Sequence, residues 1–528
     1  MKKIIKKYWM LIFLCLFFEV IGQLLFIGSN YFQYTVVNKV IQENKSINEI
    51  WLETLFAFGG VIVSLTITYF SDLMRCRISY KLRINLKQIV SFKINSLSDE
   101  EYEKNKKGEY ISWYNNEVEA ISAALEAKLI SIYVSLVLTI LPITLLFIFV
   151  HWIVGLVALF GGLLTIFVPS IAGIFLSKKY QEIAMEQGEF TQGIENLING
   201  YAEFAYQNKK GLFRSLIEKF SNKMESKVAK VSYFTFGISL LIGILQVVLQ
   251  QSTFVGSTIL YYNGIASPGA VMVSINFSAY FIEGFSSLIE NITSIGKGKG
   301  IIKKYKNIRE YQEYTKNSIP FKELNINKLN CEIEQKQIFK DFNLQIDANK
   351  KYLVVGESGK GKTTLFKIIF GILNKYSGDL ILNKEINYKT LVPEDLKNLY
   401  SYVPQETTIF NDTIRNNISL WNKEIDDKKI IEALKKVNLS SLLKDNTLDT
   451  VINYDNKNFS GGELQRIAIA RALVDEKQVM IMDEITASLD KENRQNIENL
   501  VGELDKTVLY ISHTTSTNDK NFDVVVKL

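Results

Sequence analysis

The sequence predicts a two-part membrane protein. An all-α region of six membrane-spanning helices, with long polar extensions, is followed by an α/β domain carrying a phosphate-binding loop. Three observations lead there. Six apolar stretches in the first 300 or so residues are long enough, at about 20 residues each, to cross a bilayer. Positive charge alternates between the segments joining them. The remainder carries strand–loop–helix punctuation around a glycine-rich turn.

The apolar content is 47% alongside 22% charge over 528 residues, and mean hydropathy is slightly positive. That average hides an apolar first half and a second half of ordinary soluble composition. The net charge of +6 sits largely beside apolar runs, as in a membrane protein, and is no nucleic-acid signature. Cys15, Cys76 and Cys331 are scattered, which excludes a disulfide framework or a zinc pattern. Abundant Lys, Ile and Asn with scarce Pro fit an AT-rich bacterial genome.

The spans are expected near 9–34, 51–71, 129–150, 152–176, 235–262 and 270–296. The first begins within "MKKIIKKYWMLIFLCLFFEV", without a small-residue cleavage site, so it is read as an uncleaved helix. His151-Trp152 makes a tight hairpin between the third and fourth, with His151 an interfacial polar residue. "YYNGIASPG" joins the fifth and sixth. Lys2, Lys3, Lys6 and Lys7 precede the first span. Arg75, Arg77, Lys81, Arg83, Lys87 and Lys93 follow the second. Lys178 and Lys179 follow the fourth, and Lys297, Lys299, Lys303 and Lys304 the sixth. Basic residues stay cytoplasmic, so both termini and the second domain are expected in the cytosol. Six buried helices of a soluble protein would not explain this alternation. The connections 72–128 and 177–234 lack Pro and read as amphipathic helix that continues the spans. "KKYKNIREYQEYTKNSIPFK" is a polar connector. The expected division is 1–305, a linker at 306–322, and 323–528.

In the second part, "YLVVGESGKGKTTLFKII" leads an apolar strand into Gly356-x-x-x-x-Gly361-Lys362-Thr363 and then a helix. Backbone N–H groups around Gly356, Glu357, Ser358, Gly359, Lys360 and Gly361 can cradle phosphates. Lys362 supplies a charge to the β- and γ-oxygens, and the Thr363 hydroxyl can ligate Mg²⁺, beside Thr364. "QVMIMDEITASLD" ends an apolar strand in Asp483-Glu484. Asp483 can hold Mg²⁺, and Glu484 can polarise an attacking water. His513 follows the strand "TVLYIS", which puts it at the same ligand-binding edge of a parallel sheet. "NFSGGELQ" sets Ser460, Gly461 and Gly462 at a helix start, a second anion-binding turn.

These motifs, with Gln405 in "YVPQE", Glu463 and Asp490 in "ASLD", resemble the full set of an ABC-transporter nucleotide-binding domain, in order and spacing across about 200 residues. "TTIFNDTIRNNI" looks like the exporter version of the region after Gln405. "LSDEEYEKNKKGEYISWYNNEVEAI" and "LINGYAEFAYQNKKGLFRSLIEKF" are similar to the two intracellular loops of ABC exporters. The resemblance covers nearly the whole chain and implies an exporter-type half-transporter, six helices fused to one P-loop ATPase domain. It implies ATP and Mg²⁺ as ligands, with Gln405 sensing nucleotide and joining Thr363 and Asp483 at the metal. It implies catalytic roles for Glu484, His513 and Lys362. It also implies a dimer in the lipid bilayer, in which the Ser460 turn closes on ATP held by the other subunit.

Several positions depart from the family pattern. Counting back from Phe339 puts Cys331 where an aromatic ring stacks on adenine, which predicts a weaker adenine platform. Phe459 replaces Leu, and Glu463 replaces Gln, setting negative charge close to a polyphosphate. "VINYDNKNF" lacks an acidic-Gly element, and the family's C-terminal helices are expected to be curtailed after His513.

Polar residues inside the spans are costly and point to function or to interhelical bonding. Asn276, Glu283 and Glu290 recur every seven residues of the sixth span. Glu19 and Gln23 lie one turn apart in the first; Gln246, Gln250 and Gln251 lie in the fifth. Together they are candidates to line a cavity suited to a cationic or amphipathic compound, such as a peptide. No protease domain is visible ahead of the first span, so processing of peptide cargo is expected elsewhere. The expected function is ATP-driven export of an amphipathic or hydrophobic compound in a bacterial plasma membrane. An importer on an exporter-type scaffold is the alternative. A soluble ATPase is disfavoured by the spans, and a vestigial regulatory subunit by the complete motif set. Homodimer and heterodimer both remain open.

Overall fold

A computed structural model describes residues 6–98, 101–102, 105, 107–303, 305, 319–333, 336–357, 359–391, 393–405, 407–443, 448–452, 460–485, 491–512 and 519–528. The chain divides into two compact units, Met1–Ser96 with Lys106–Arg309, and Leu97–Asn105 with Glu310–Leu528.

The first unit is helical. Its helices are α1 (Trp9–Ile41), α2 (Ile47–Asn95), α3 (Gly108–Val150), α4 (Trp152–Asn199), α5 (Tyr201–Tyr206), α6 (Lys210–Tyr262) and α7 (Pro268–Lys303). Among the described residues α1, α2, α3, α6 and α7 are long and apolar enough to cross a membrane. The remaining expected span, 152–176, falls on α4, whose apolar segment Trp152–Leu164 is described. The polar connections are helical, as their composition predicts: α2, α4 and α6 run far beyond their apolar parts without a break. His151 is extended and caps α4, its Nδ1 accepting from Ile153 N–H at 3.3 Å. Ser46 and Glu49 form a capping box that starts α2.

Lipid supplies little hydrophobic drive between helices, so close backbone approach and short hydroxyl bonds hold this unit together. The helix α7 is its hub. Ser257 on α6 meets Ser274 at 3.0 Å, and Thr253 donates to Ser278 at 3.1 Å. Asn291 donates to Ser135 on α3 at 2.9 Å. Gly284 packs backbone to backbone against α3: a Cβ there would lie 2.5 Å from the Leu138 carbonyl carbon. Gly296, on the same helix, has open space around it. Gly284→Ala is therefore expected to cost about 1–3 kcal/mol of packing. The check is thermal unfolding of the purified protein, where Gly296→Ala stays near wild type and Gly284→Ala melts several degrees lower.

The second unit holds two sheets. An antiparallel sheet has the order β2 (Lys336–Asp347), β1 (Glu323–Ile333), β4 (Ser377–Leu382), β5 (Ile386–Asn387). The second, parallel in all its pairings, has the order β11 (Val524–Lys527), β3 (Lys351–Val355), β10 (Thr507–Ser512), β9 (Val479–Asp483), β6 (Tyr400–Val403). A short ribbon joins β7 (Asp412–Thr413) and β8 (Val451–Ile452). Strands β3, β9 and β10 are apolar throughout their central positions because both faces are covered, the pattern expected of a parallel sheet. The helices are α8 (Lys362–Ile369), α9 (Pro393–Leu399), α10 (Ile414–Ser419), α11 (Asp427–Lys436), α12 (Gly461–Val474) and α13 (Lys491–Glu503).

Candidate active site

In the parallel sheet the register brings Ser512 beside Val355, Ile511 beside Asp483, and Met482 beside Val403. Four strands thus end at one edge, and the motif residues follow from those ends. The Gly356 loop leaves β3, Asp483 and Glu484 close β9, and Gln405 lies two residues past β6. Ligands bind at this edge of open parallel sheets. His513 follows β10 but lies outside the described residues, as do Ser358, Asp490, Phe459 and the segment 453–459.

The loop closes through two left-handed glycines, Gly359 at φ +81° and Gly361 at φ +97°. Gly361 caps α8, its carbonyl accepting from Leu365 N–H at 2.8 Å. The first N–H groups of α8 and the exposed Thr363 hydroxyl therefore face outward beside Glu357, Gly359 and Lys360, with Thr364 half-buried. Lys362 is only 5% exposed. Its ammonium donates to Gly356 O at 2.6 Å and Glu357 O at 3.2 Å, and lies 3.6 Å from a Glu484 oxygen. Glu484 is 8% exposed and holds a left-handed φ of +51°, rare for a residue with a Cβ. Its N–H donates to Ile511 O at 3.0 Å, which fixes the turn against β10. A strained conformation clamped by a neighbouring strand is a common device for aiming a functional side chain.

Tyr402 is a supporting residue that motif reading missed. Its ring stacks on Phe366 of α8 at 4.2 Å, and its hydroxyl donates to Asp483 at 3.4 Å. Burial and the Asp483 carboxylate push that hydroxyl well above its ordinary pKa, so it remains a donor. The residue sits in the quoted "YVPQE", but only the inter-strand register reveals its partner.

Ser460 begins α12 in a capping box with Glu463. The Glu463 carboxylate accepts from Ser460 N–H at 2.7 Å and from its hydroxyl at 2.8 Å, while Glu463 N–H donates back to that hydroxyl at 3.3 Å. Gly461 and Gly462 form the first turn. Further along α12, Arg471 donates to Asn417 O at 2.8 Å and to Thr408 O at 3.3 Å. Asn417, fully buried, bonds both backbone groups of Phe410 at 2.9 Å. The helix behind the Ser460 turn is thereby tied to the segment after Gln405.

Two family patterns match this chain. One, described as ABC transporter, covers residues 339–487. The ABC transporter transmembrane region covers residues 12–285, more than half the chain. The chain belongs to the ABC transporter family.

Among relatives of this transporter is the microcin-J25 export ATP-binding/permease protein McjD of Escherichia coli. It is 31% identical over 55% of this chain and 52% of its own length. The ATP-dependent lipid A-core flippase of Escherichia coli strain K12 is 27% identical over 68% of this chain and 64% of its own. ABC transporter B family member 6 of Dictyostelium discoideum is 33% identical over 38% of this chain and 30% of its own. The matches thus span between 30% and 64% of these relatives' own lengths. A solved bacterial Atm1-family ABC exporter with ATP bound shares the fold, with TM-score 0.83 and 15% identity over 99% of this chain and 93% of that one.

The Cys331 expectation is corrected. The residue is 3% exposed, inside the core of the antiparallel sheet, where it pairs with Phe339 across the strands. Burial raises its thiol pKa. It therefore cannot serve as an adenine platform. Ile333, at the end of β1, is a large apolar side chain left 38% exposed.

In the helical unit the polar residues separate. Asn276 donates to Asn30 on α1 at 2.8 Å. Glu19 is 7% exposed, 4.0 Å from Arg75 on α2, and Cys15 and Ser71 bond beside them. Gln23, Gln246 and Gln250 are half-buried; Gln251, Glu283 and Glu290 are exposed.

Proposed function

We propose that this transporter is an ATP-driven exporter of an amphipathic or hydrophobic compound, working as a dimer of two copies by alternating access. The observation that carries the reading is that two candidate phosphate-binding elements stand at the starts of different helices. Lys362 and Glu484 meet at the sheet edge, whereas Ser460 starts a different helix, α12. A site completed by the second copy's Ser460 turn makes dimerisation part of the chemistry. The names of the relatives, a microcin exporter and a lipid flippase, support an amphipathic peptide or lipid-like cargo. Glu283 and Glu290 on α7 are the candidates we favour for its polar contacts. The charge alternation supports a bacterial plasma membrane with termini and ATPase domain cytoplasmic, divided at a linker of 306–322.

The Lys362 ammonium bonds the Gly356 carbonyl and lies beside Glu484. As a triphosphate enters, the ammonium turns to its β- and γ-oxygens. Glu484 orients and deprotonates the attacking water, with His513, which follows β10, and Asp490, six residues on, as its expected partners. Asp483, Thr363 and Gln405 offer hard oxygens suited to Mg²⁺. Mg²⁺, when bound, would offset phosphate charge. Ile333 is our candidate for the adenine contact.

Glu463 bears on closure. Its carboxylate occupies the donors of Ser460 that a γ-phosphate would use. Glu463→Gln keeps the capping box and removes the charge. A charge at a helix N-terminus is worth about 0.3–1 kcal/mol, so the ATP KM is expected to fall about two- to fivefold. An unchanged or higher KM in steady-state ATPase assays would count against a competing carboxylate.

Transport itself is tested in inverted membrane vesicles with an amphipathic cationic peptide. Export predicts ATP-dependent accumulation that Glu484→Gln abolishes. ATP-dependent loss of preloaded peptide would instead mean import.

A further inference from the structure

The helices α4 and α6 enclose a cavity of about 400 Å³ below their apolar parts. Three lysines face it, Lys179, Lys227 and Lys230, with Glu182. Its apolar wall is Ile183, Val231 and Phe234. We propose that this cavity binds an acidic phospholipid, the phosphodiester among the lysines and the acyl chains along the apolar wall.

The charges favour a phosphodiester. Glu182 pairs with Lys179 at 2.9 Å. Buried Glu186 takes Lys223 at 2.6 Å and also bonds Lys227, and Lys223 reaches Glu189 at 3.0 Å. Among the described residues, no carboxylate pairs with Lys230. Among the described residues, four lysines thus meet three carboxylates, an excess of one positive charge that one phosphodiester would neutralise.

The position favours a lipid over a free ion. The cavity lies where the polar half of α6 gives way to its apolar run, and Tyr233, Phe234 and Phe236 are exposed at that level. Aromatic side chains gather at headgroup depth. Basic pockets between membrane helices on the cytoplasmic side take acidic headgroups. Val231 and Phe234 continue the wall toward the bilayer, where a free anion would gain nothing. The proposal rests on the membrane-spanning reading and not on the ATP site.

The test is native mass spectrometry of the full chain, released from bilayers of equal phosphatidylglycerol and phosphatidylcholine. Wild type is expected to retain phosphatidylglycerol preferentially. Lys230→Gln is expected to weaken retention about fivefold, and Lys179→Gln with Lys230→Gln further, at roughly one such factor per lysine. Lys45→Gln, in the α1–α2 loop, is the control and keeps wild-type retention. Phe234→Ala is expected to weaken retention without altering the charge preference. Equal retention of both lipids by wild type would overturn the proposal. So would full retention by the double lysine variant, or displacement of the lipid by millimolar inorganic phosphate alone.

Discussion

Glu484→Gln is expected to stop ATP hydrolysis while leaving ATP binding intact. The side chain is buried at the end of β9, aimed by a left-handed backbone and clamped to β10. A glutamine keeps the size and the clamp but cannot take a proton from water. Loss of a positioned general base costs about 10²–10⁴-fold in rate. The Lys362 ammonium loses its carboxylate neighbour at the same time, so ATP affinity is expected to hold or rise. Phosphate release and fluorescent-nucleotide binding, measured on one preparation, separate the two effects. A variant retaining more than about a tenth of the wild-type rate would remove Glu484 from the role of base.

Gly361→Ala is expected to lose ATP binding rather than hydrolysis alone. Its φ of +97° is a conformation that residues with a Cβ rarely adopt, at a cost of about 1–3 kcal/mol. The new Cβ would also lie 2.5 Å from Ile338 Cγ2 and 3.0 Å from Phe339 Cζ. Both effects move the start of α8, whose N–H groups and Lys362 form the cradle. ATP affinity should fall at least about tenfold, a loss of 1.4 kcal/mol or more. Ile338→Ala added to Gly361→Ala relieves the contact but not the dihedral, so only part of the affinity should return. Gly356→Ala is milder, with its closest approach at 3.3 Å to Leu528. Equal affinities for the Gly361 and Gly356 variants would contradict this account of the loop.

The sequence was most legible where chemistry and topology coincide. A parallel sheet sends successive motif residues to one edge, so Lys362, Asp483 and Glu484 could be grouped from strand ends alone. Charge beside apolar runs gave the membrane helices, because Lys and Arg resist burial in lipid. Strand registers were not legible. Strand β1 has register shifts around Leu329 and Cys331, so counting back from Phe339 placed a core thiol at a ligand position. The Tyr402 contact with Asp483 joins residues 81 apart and needs the β6–β9 pairing. Pairs between helices, such as Glu19 with Arg75, have no local pattern to announce them. Three π-helical turns in α3, at Trp113–Glu117, Ala127–Ser131 and Leu146–Val150, shift its buried face and defeat simple counting by 3.6. The Ser460-x-x-Glu463 capping box was visible as a pattern, yet Glu463 there registers first as a charge near phosphate. Its bonds to Ser460 give it a second, structural use.

The central claim is that each ATP site needs the Lys362 loop of one copy and the Ser460 turn of another. It is tested most directly by purifying the full chain in lipid nanodiscs, separating particles with one copy from those with two, and measuring ATPase rate in each. The account predicts hydrolysis in the two-copy fraction, lost on Glu484→Gln, and none in the one-copy fraction. Equal rates per chain in both fractions, or an inactive but well-folded two-copy fraction, would contradict it.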